Sequence, residues 1–126
     1  MKSHKNLTVY RTSIQLVTDI YKVTEGFPKT EIYGITNQIR RCSVSIPSNV
    51  AEGAARNYSK EKIQFYHYAL GSASELDAQI EISLHLNFLK ESDYSRINRQ
   101  LDSVSKMLMG LLKYEKAKLN DKKRKP

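Results

Sequence analysis

The sequence predicts an all-α protein, a single antiparallel four-helix bundle with up-down-up-down order. Apolar residues recur at intervals of three and four in four successive segments, which is the spacing of amphipathic helices. The connections are short and contain helix-ending residues, so consecutive helices must run in opposite directions. A length of 126 residues fits one domain. We expect one domain over 1–126, with helices at about 6–25, 29–52, 59–89 and 92–118 and a disordered basic tail at 119–126.

Helix one is predicted from one apolar stripe that ends near Tyr21 and Thr24. Gly26 is expected to close it in the left-handed conformation, and Pro28 makes the connection short. Helix two is expected to begin between Pro28 and Thr30. The apolar stripe of helix one comprises Leu7, Tyr10, Ile14, Val17, Tyr21 and Thr24.

Helix two has one apolar and one polar face. Pro47 lies inside it, where proline removes a backbone hydrogen bond and clashes with the preceding turn, so the segment either kinks or divides into two short helices. The kink is favoured because the apolar spacing continues to Val50, and Gly53 is expected to end the helix in the left-handed conformation. The apolar face comprises Ile35, Ile39, Cys42, Ile46 and Val50.

Helix three has more apolar surface than one bundle core can bury. Ser59 is its predicted N-cap, and Tyr66 and Leu76 lie on its main apolar face. Residues 80–88 also alternate with period two, as a strand would, but no second segment offers a partner strand. We therefore predict a helix that faces both its own core and a neighbouring subunit, which makes the protein a homo-oligomer.

Helix four follows an unbroken three-four pattern from Tyr94 to Leu111, with Ser92 and Asp93 as its predicted cap. Basic residues are concentrated after it. From Lys113 onward the chain has seven Lys or Arg and two acidic residues, which is +5 of the total net charge of +8.

Composition excludes several classes of protein. The single cysteine allows no intrachain disulfide, and neither a signal peptide nor a transmembrane segment is visible, so a cytoplasmic protein without membrane contact is expected. No metal-ligand pattern, phosphate loop or nucleophile motif is present. The sequence therefore predicts a non-enzymatic protein with no catalytic residue, metal or cofactor.

The polar face of helix two is predicted to form a structural network with a polar stripe of helix three, within one subunit or between subunits. An ion pair of Arg40 or Arg41 with Glu75 is the specific expectation, because a buried charge needs a partner. The predicted network comprises Arg40, Arg41, Ser45, Asn49, Glu52, Glu75 and Gln79.

Nucleic acid is the partner favoured by the positive charge, since cationic side chains supply contacts to phosphate without regard to sequence. Tyr58, Tyr66 and Tyr68 are candidates for stacking on bases. A solvated tail that only aids solubility is the alternative, as is a scaffold that binds a protein partner. The expected phosphate contacts are Arg56, Lys60, Lys62, Lys122, Lys123, Arg124 and Lys125.

Residues 7–90 resemble the four-helix-bundle proteins encoded in intervening sequences of bacterial 23S ribosomal RNA genes. The resemblance implies a left-handed bundle that assembles into a homopentameric ring and has no established activity. Related ring-forming bundles serve as accessory factors that bind RNA and a reverse transcriptase, so it also implies nucleic acid as a partner. The matching pieces are Val9-Tyr10, Ile20-Tyr21, Phe27-Pro28, Gln38-Ile39-Arg40-Arg41, Ser45-Ile46-Pro47-Ser48-Asn49-Val50-Ala51-Glu52-Gly53, Arg56, Gly71-Ser72 and Glu75-Leu76.

Overall fold

The computed structural model describes residues 3–124, which form four α-helices and no strand. The helices are α1 (Thr8–Thr24), α2 (Ile35–Ala54), α3 (Ser59–His85) and α4 (Glu91–Arg124). Short 3-10 turns at Ser3–Asn6 and Lys29–Glu31 precede α1 and α2. The all-α prediction with four helices is confirmed, and the alternating segment 80–88 is helical as far as His85. Within the described chain, no helix combines the length and apolarity needed to cross a membrane.

The core lies between the four helices, and α2 packs on α1 and α3 while α4 packs on α3 and α1. The stripes predicted for α2, α3 and α4 form most of it. Each helix supplies side chains with almost no exposed surface, and the largest of these are Leu16, Ile20, Ile39, Ile46, Leu76, Ile80, Ile97 and Leu108.

The stripe predicted for α1 is wrong by one position over most of its length, although its last residue, Thr24, is buried. The buried residues of α1 include Val9, Leu16 and Ile20, whereas Ile14 and Tyr21 are 43% and 42% exposed. Apolar residues occupy two adjacent stripes of α1, and the stripe that faces the core is the one without tyrosine. Burial of a hydroxyl without a hydrogen-bond partner costs free energy, so the tyrosine stripe lies at the edge of the core, where the hydroxyls stay in water.

Neither glycine expected in the left-handed conformation adopts it, since no described glycine has a positive φ. Instead Asn87 has φ 61°, and it ends α3. The amide of Phe88 donates to the carbonyl of Ser83 at 2.9 Å and the amide of Asn87 to that of Leu84 at 3.0 Å. This is the Schellman arrangement, which asparagine can adopt when glycine is absent, and it ends α3 at His85 rather than near residue 89.

Helix α2 begins at Ile35, later than the predicted Pro28–Thr30, because Lys29–Glu31 form a separate 3-10 turn. The Glu31 carboxylate accepts a hydrogen bond of 3.5 Å from the Ile35 amide, which supplies a partner to one free amide of the first turn. At its other end α2 continues through Pro47 to Ala54, two residues past the predicted end, as one helix and not as two short ones.

Helix α4 extends through Arg124, so residues 119–124 of the predicted disordered tail are helical and the boundary at 118 is wrong. Glu115 lies beside Ser59, the first residue of α3, at a hydrogen-bond distance of 2.9 Å. The nine residues that follow Glu115 therefore project about 13 Å past the start of α3. Lys125, also assigned to the tail, lies outside the described residues.

Candidate functional site

A polar groove of about 350 Å³ lies between α2 and α3. We call it the α2–α3 groove. Four residues of the predicted network line it, together with Asn37, Gln38 and Cys42. The four are Arg41, Ser45, Glu75 and Gln79.

Hydroxyl groups join the two helices at one end of this groove. The oxygens of Ser45 and Ser72 are 2.6 Å apart, and Ser45 also donates to the carbonyl of Cys42 at 2.7 Å. Because a serine has one proton to donate, Ser72 is the donor in the contact between helices. Asn49, which the sequence placed in the same network, donates to the carbonyl of Ser45 at 2.8 Å and so stays on its own helix.

Cys42 is buried at the floor of the groove, and its thiol donates to the carbonyl of Ser72 at 3.1 Å. Burial, and to a smaller extent the negative charge of Glu75, raise the pKa of the Cys42 thiol from 9.0 to about 11. A thiol held in its protonated form is a poor nucleophile, so Cys42 contributes packing and a hydrogen bond rather than reactivity.

Gln79 and Arg41 leave hydrogen-bonding capacity unused in the groove. Gln79 is 7% exposed, and its amide nitrogen lies 3.5 Å from Glu75, while its oxygen is buried with no partner among the described residues. Arg41 is exposed and forms none of the ion pairs of the described chain. The expected pair with Glu75 is therefore not formed by Arg41 within one subunit.

Arg40 does not pair with Glu75 either, because its side chain turns toward α1. Its Nε atom donates to Thr24 Oγ1 at 2.8 Å, and the guanidinium lies 4.7 Å from the centre of the Tyr21 ring. Consecutive residues of a helix are rotated by about 100° about its axis, so Arg40 and Arg41 point to different sides of α2.

Glu52 also lies outside the α2–α3 groove. Its carboxylate is 3.0 Å from Arg56 in an exposed ion pair four residues apart, and the Arg56 guanidinium lies over the Phe65 ring at 4.7 Å. Exposed pairs of this kind contribute about 0.3–0.5 kcal/mol, so this contact positions Arg56 more than it stabilises the fold.

A second group of predicted residues lies at the end of the bundle from which α4 projects. Lys60 is exposed near the start of α3, and Lys122 is exposed on the projecting part of α4. Lys62 differs from both, because its ammonium group donates to the carbonyls of Gly53 and Ala54 at 3.3 and 3.1 Å. It caps the end of α2 and is thereby less available to a phosphate.

The three tyrosines predicted to stack on bases also differ from one another in their exposure to solvent. Tyr58, just before α3, and Tyr68, in the first half of α3, are 64% and 50% exposed. Tyr66 is 3% exposed, so the prediction that it stacks on bases is wrong. Its ring fills the space beside Gly53, where an added Cβ would lie 2.6 Å from Tyr66 Cε1.

Sequence reasoning missed the buried pair of Ser59 and Glu115. The prediction of Ser59 as the N-cap of α3 is wrong by one residue, because Tyr58 occupies that position, and Ser59 donates to Glu115 Oε1 at 2.9 Å. A pattern that could have revealed it is the spacing of Leu108, Leu112 and Glu115, which places the carboxylate on the core stripe of α4. Lys118 lies 3.9 Å from the same carboxylate oxygen.

Comparison with known proteins gives a family but no activity. No curated protein matches the chain. A crystal structure of a protein of unknown function from the S23 ribosomal protein family of Bacteroides thetaiotaomicron is similar, with a TM-score of 0.78 and 20% identity over 84% of this chain and 99% of that one. At this identity the likeness concerns the fold alone. The 23S rRNA-intervening sequence protein family matches residues 5–110, and the chain belongs to that family.

Proposed function

We propose that this protein is a non-enzymatic, homo-oligomeric bundle that binds RNA or other nucleic acid through the end from which α4 projects. The observation that carries the proposal is the position of the cationic residues. Lys60 near the start of α3 and Lys122 on α4 lie at one end, because Ser59 and Glu115 are in contact there. Between Lys116 and Arg124 the sequence has five cationic residues and one acidic residue, which gives +4 on nine residues.

The bundle is proposed to have up-down-up-down order. Ser45 contacts Ser72, and Gly53, later in α2, faces Tyr66, earlier in α3. Asp19 near the end of α1 accepts a hydrogen bond of 2.6 Å from Gln100 in the first half of α4. Contacts of this kind are expected of neighbouring helices that run in opposite directions.

The contact with nucleic acid is electrostatic in this proposal. Lys116, Lys118 and Lys122 are exposed on the projecting part of α4, so this part of the helix fits a phosphate backbone without selecting a base sequence. Each phosphate neutralised releases counterions, and affinity therefore falls steeply with salt.

Charge reversal at the two ends of the bundle tests this. Lys60→Glu combined with Lys122→Glu is expected to weaken binding of a short RNA strongly and to flatten its salt dependence. Lys22→Glu combined with Lys29→Glu changes the net charge equally at the other end, where both lysines are exposed, and serves as the matched control. Equal losses for the two variants in a gel-shift titration would contradict a localised site, and binding that is absent or insensitive to salt would overturn the proposal.

The oligomer is proposed to be a homopentameric ring that uses the outer face of α2 and α3. Val44 and Ile82 on this face are 39% and 50% exposed. Beside them, no described residue donates to the Gln79 oxygen or supplies a carboxylate to Arg41. A second copy of the chain would cover the apolar surface and supply a hydrogen-bond donor to Gln79 and a carboxylate to Arg41.

Native mass before and after nuclease treatment reports the number of subunits and bound nucleic acid together. We expect a multiple of 14.5 kDa that survives nuclease. Ile82→Lys is expected to reduce the mass to that of one chain with unchanged helix content, because it places a charge in the contact. A wild-type mass of one chain in dilute solution would overturn the oligomer.

A scaffold that binds a protein partner is the second candidate. The favouring observation is the turn before α2, where Ile32 and Tyr33 are 46% and 94% exposed, away from the cationic end. Such a partner would be retained from a nuclease-treated lysate by the wild type and lost by a variant with Ile32→Ser and Tyr33→Ser.

A further inference from the structure

We infer that a groove between α3 and α4 holds one unpaired nucleotide of a bound single strand, an inference that rests on the proposed nucleic-acid function. We call it the α3–α4 groove. Its volume is about 510 Å³, and its lining includes Leu70, Met109 and Leu112 as well as Lys113 and Lys116. This size lies in the range of about 300–1,000 Å³ typical of small-molecule sites.

The floor of the groove is apolar and unpartnered. Leu112 is 4% exposed and Leu70 packs against the core, while Met109 is 51% exposed at the edge. A nucleobase is a flat ring that loses contact with water when it lies on such a floor, and methionine adapts its shape to a ring.

The rim of the groove supplies positive charge. Lys113 and Lys116 are exposed, and neither forms an ion pair with a carboxylate of the described residues. Residues three apart on a helix have Cβ atoms about 5–6 Å apart, so the two ammonium groups can meet phosphates on either side of one base. An apolar floor below two free cations fits a nucleotide better than an inorganic anion, which would gain nothing from the floor.

The position of the groove also favours a nucleotide. Its lining extends to Asn120 on the projecting part of α4, so a strand that follows the cationic helix passes directly over it. His67 and Asn120 add hydrogen-bonding groups at the mouth, where the polar edge of a base would lie. An acyl chain would leave most of its length outside a groove of this size.

The prediction that follows is a preference for single-stranded over double-stranded RNA of equal charge. A paired base cannot enter the groove without first leaving its stack. Phosphate contacts, in contrast, are available to both forms of RNA. The groove and the cationic helix can therefore be tested separately.

Ala117→Phe is the central experiment, because Ala117 is an exposed residue that lines the groove and the substitution fills it without a change of charge. Ser103→Phe is the matched control, an exposed position on the same helix about 21 Å away along the axis. The probe is a single-stranded RNA that contains a fluorescent adenine analogue, whose emission rises when it leaves the base stack. We expect a rise with the wild type and with Ser103→Phe. With Ala117→Phe we expect no rise, a loss of about ten- to hundredfold in single-strand affinity and unchanged duplex affinity.

The outcomes separate this inference from the proposed function. If Ala117→Phe binds single strands as the wild type does, with the same emission change, the groove is not the site, although salt-dependent binding still supports the cationic end. If Ala117→Phe changes the native mass, the groove is a contact between subunits and the inference is overturned. If the wild type binds no RNA even at low salt, both proposals fail.

Discussion

The hydroxyl of Ser59 donates a hydrogen bond of 2.9 Å to the carboxylate of Glu115, and both residues are buried. The contact joins the first residue of α3 to α4 at the point where α4 begins to project. It fixes the relative position of the two helices, because a buried carboxylate that loses its donor cannot find water as a substitute.

Ser59→Ala is expected to lower the free energy of unfolding by about 1–3 kcal/mol, since it leaves the Glu115 carboxylate buried without its hydroxyl donor. Urea unfolding followed by circular dichroism at one protein concentration measures the loss. Ser103→Ala, at an exposed position of α4, is the control and should change stability by less than about 0.5 kcal/mol. A loss of that small size for Ser59→Ala would show that the hydrogen bond is not formed in solution.

Gly53→Ala and Gly110→Ala are expected to act in opposite directions. Alanine stabilises a helix by about 1 kcal/mol relative to glycine, and apart from the adjoining backbone of α4 no described atom lies within 4 Å of a Cβ added at Gly110. At Gly53 the added Cβ would lie 2.6 and 2.9 Å from two atoms of the buried Tyr66 ring, and overpacking of this kind costs about 1–3 kcal/mol. Chemical unfolding should therefore place Gly53→Ala at least 1 kcal/mol below Gly110→Ala, by the same estimate. Equal stability of the two variants would mean that α3 moves away from the added methyl group without a loss of stability.

The spacing of apolar residues within each segment was sufficient to predict much of this fold. Helix α4 follows its stripe without interruption, and α2 continues through Pro47 because Ile46 and Val50 on either side of it are both buried in the core. Tertiary burial of an amphipathic face outweighs the local penalty of one proline.

The rotation of each helix about its own axis, and the helices that pack against it, could not be predicted from the sequence. Helix α1 has two adjacent stripes that contain apolar residues, and only its packing partners decide which one is buried. The site shows the same limit. Arg40 and Arg41 are equivalent in the sequence, but one contacts Thr24 and the other lines the α2–α3 groove. The α3–α4 groove joins residues that are about 40 positions apart, and no local spacing reveals it.

Arg40→Ala is expected to destabilise the subunit, whereas Arg41→Ala is expected to disturb assembly. Arg40 loses its hydrogen bond to Thr24 and its stacking on Tyr21, together about 1–3 kcal/mol. Arg41 forms no ion pair with the residues that the structure describes, so its removal should leave helix content unchanged and reduce the native mass measured by light scattering. Identical behaviour of the two variants in both measurements would contradict the division of roles.

The stability of the protein should depend on Cys42 at high pH. Burial raises the pKa of this thiol from 9.0 to about 11, so the folded state keeps its proton to higher pH than the unfolded state. The stabilisation is complete below pH 9 and is lost as the pH rises to 11. Wild type should therefore lose more stability than Cys42→Ala over this interval, while tyrosines and lysines contribute equally to both. The thiol should also react with a disulfide reagent about tenfold more slowly than free cysteine, because the raised pKa lowers the thiolate fraction more than it increases the nucleophilicity of the thiolate.

Removal of residues 119–126 should separate binding from folding. The deletion leaves the contacts of Glu115 with Ser59 and Lys118 intact, so the unfolding midpoint should stay near that of the full chain. It removes four cationic residues and Asp121. If all four contact phosphate, the slope of log affinity against log salt for single strands should flatten by about 3, at about 0.7 for each contact.

The control for the deletion replaces the same four cations by glutamine in the full-length chain. This variant keeps the length of α4 but not its charge, and the proposed mechanism requires it to bind as weakly as the truncated chain. If the glutamine variant binds like the wild type, chain length rather than charge carries the contact. A midpoint that falls with the deletion but not with the glutamine variant would show that the projecting part of α4 packs against another subunit.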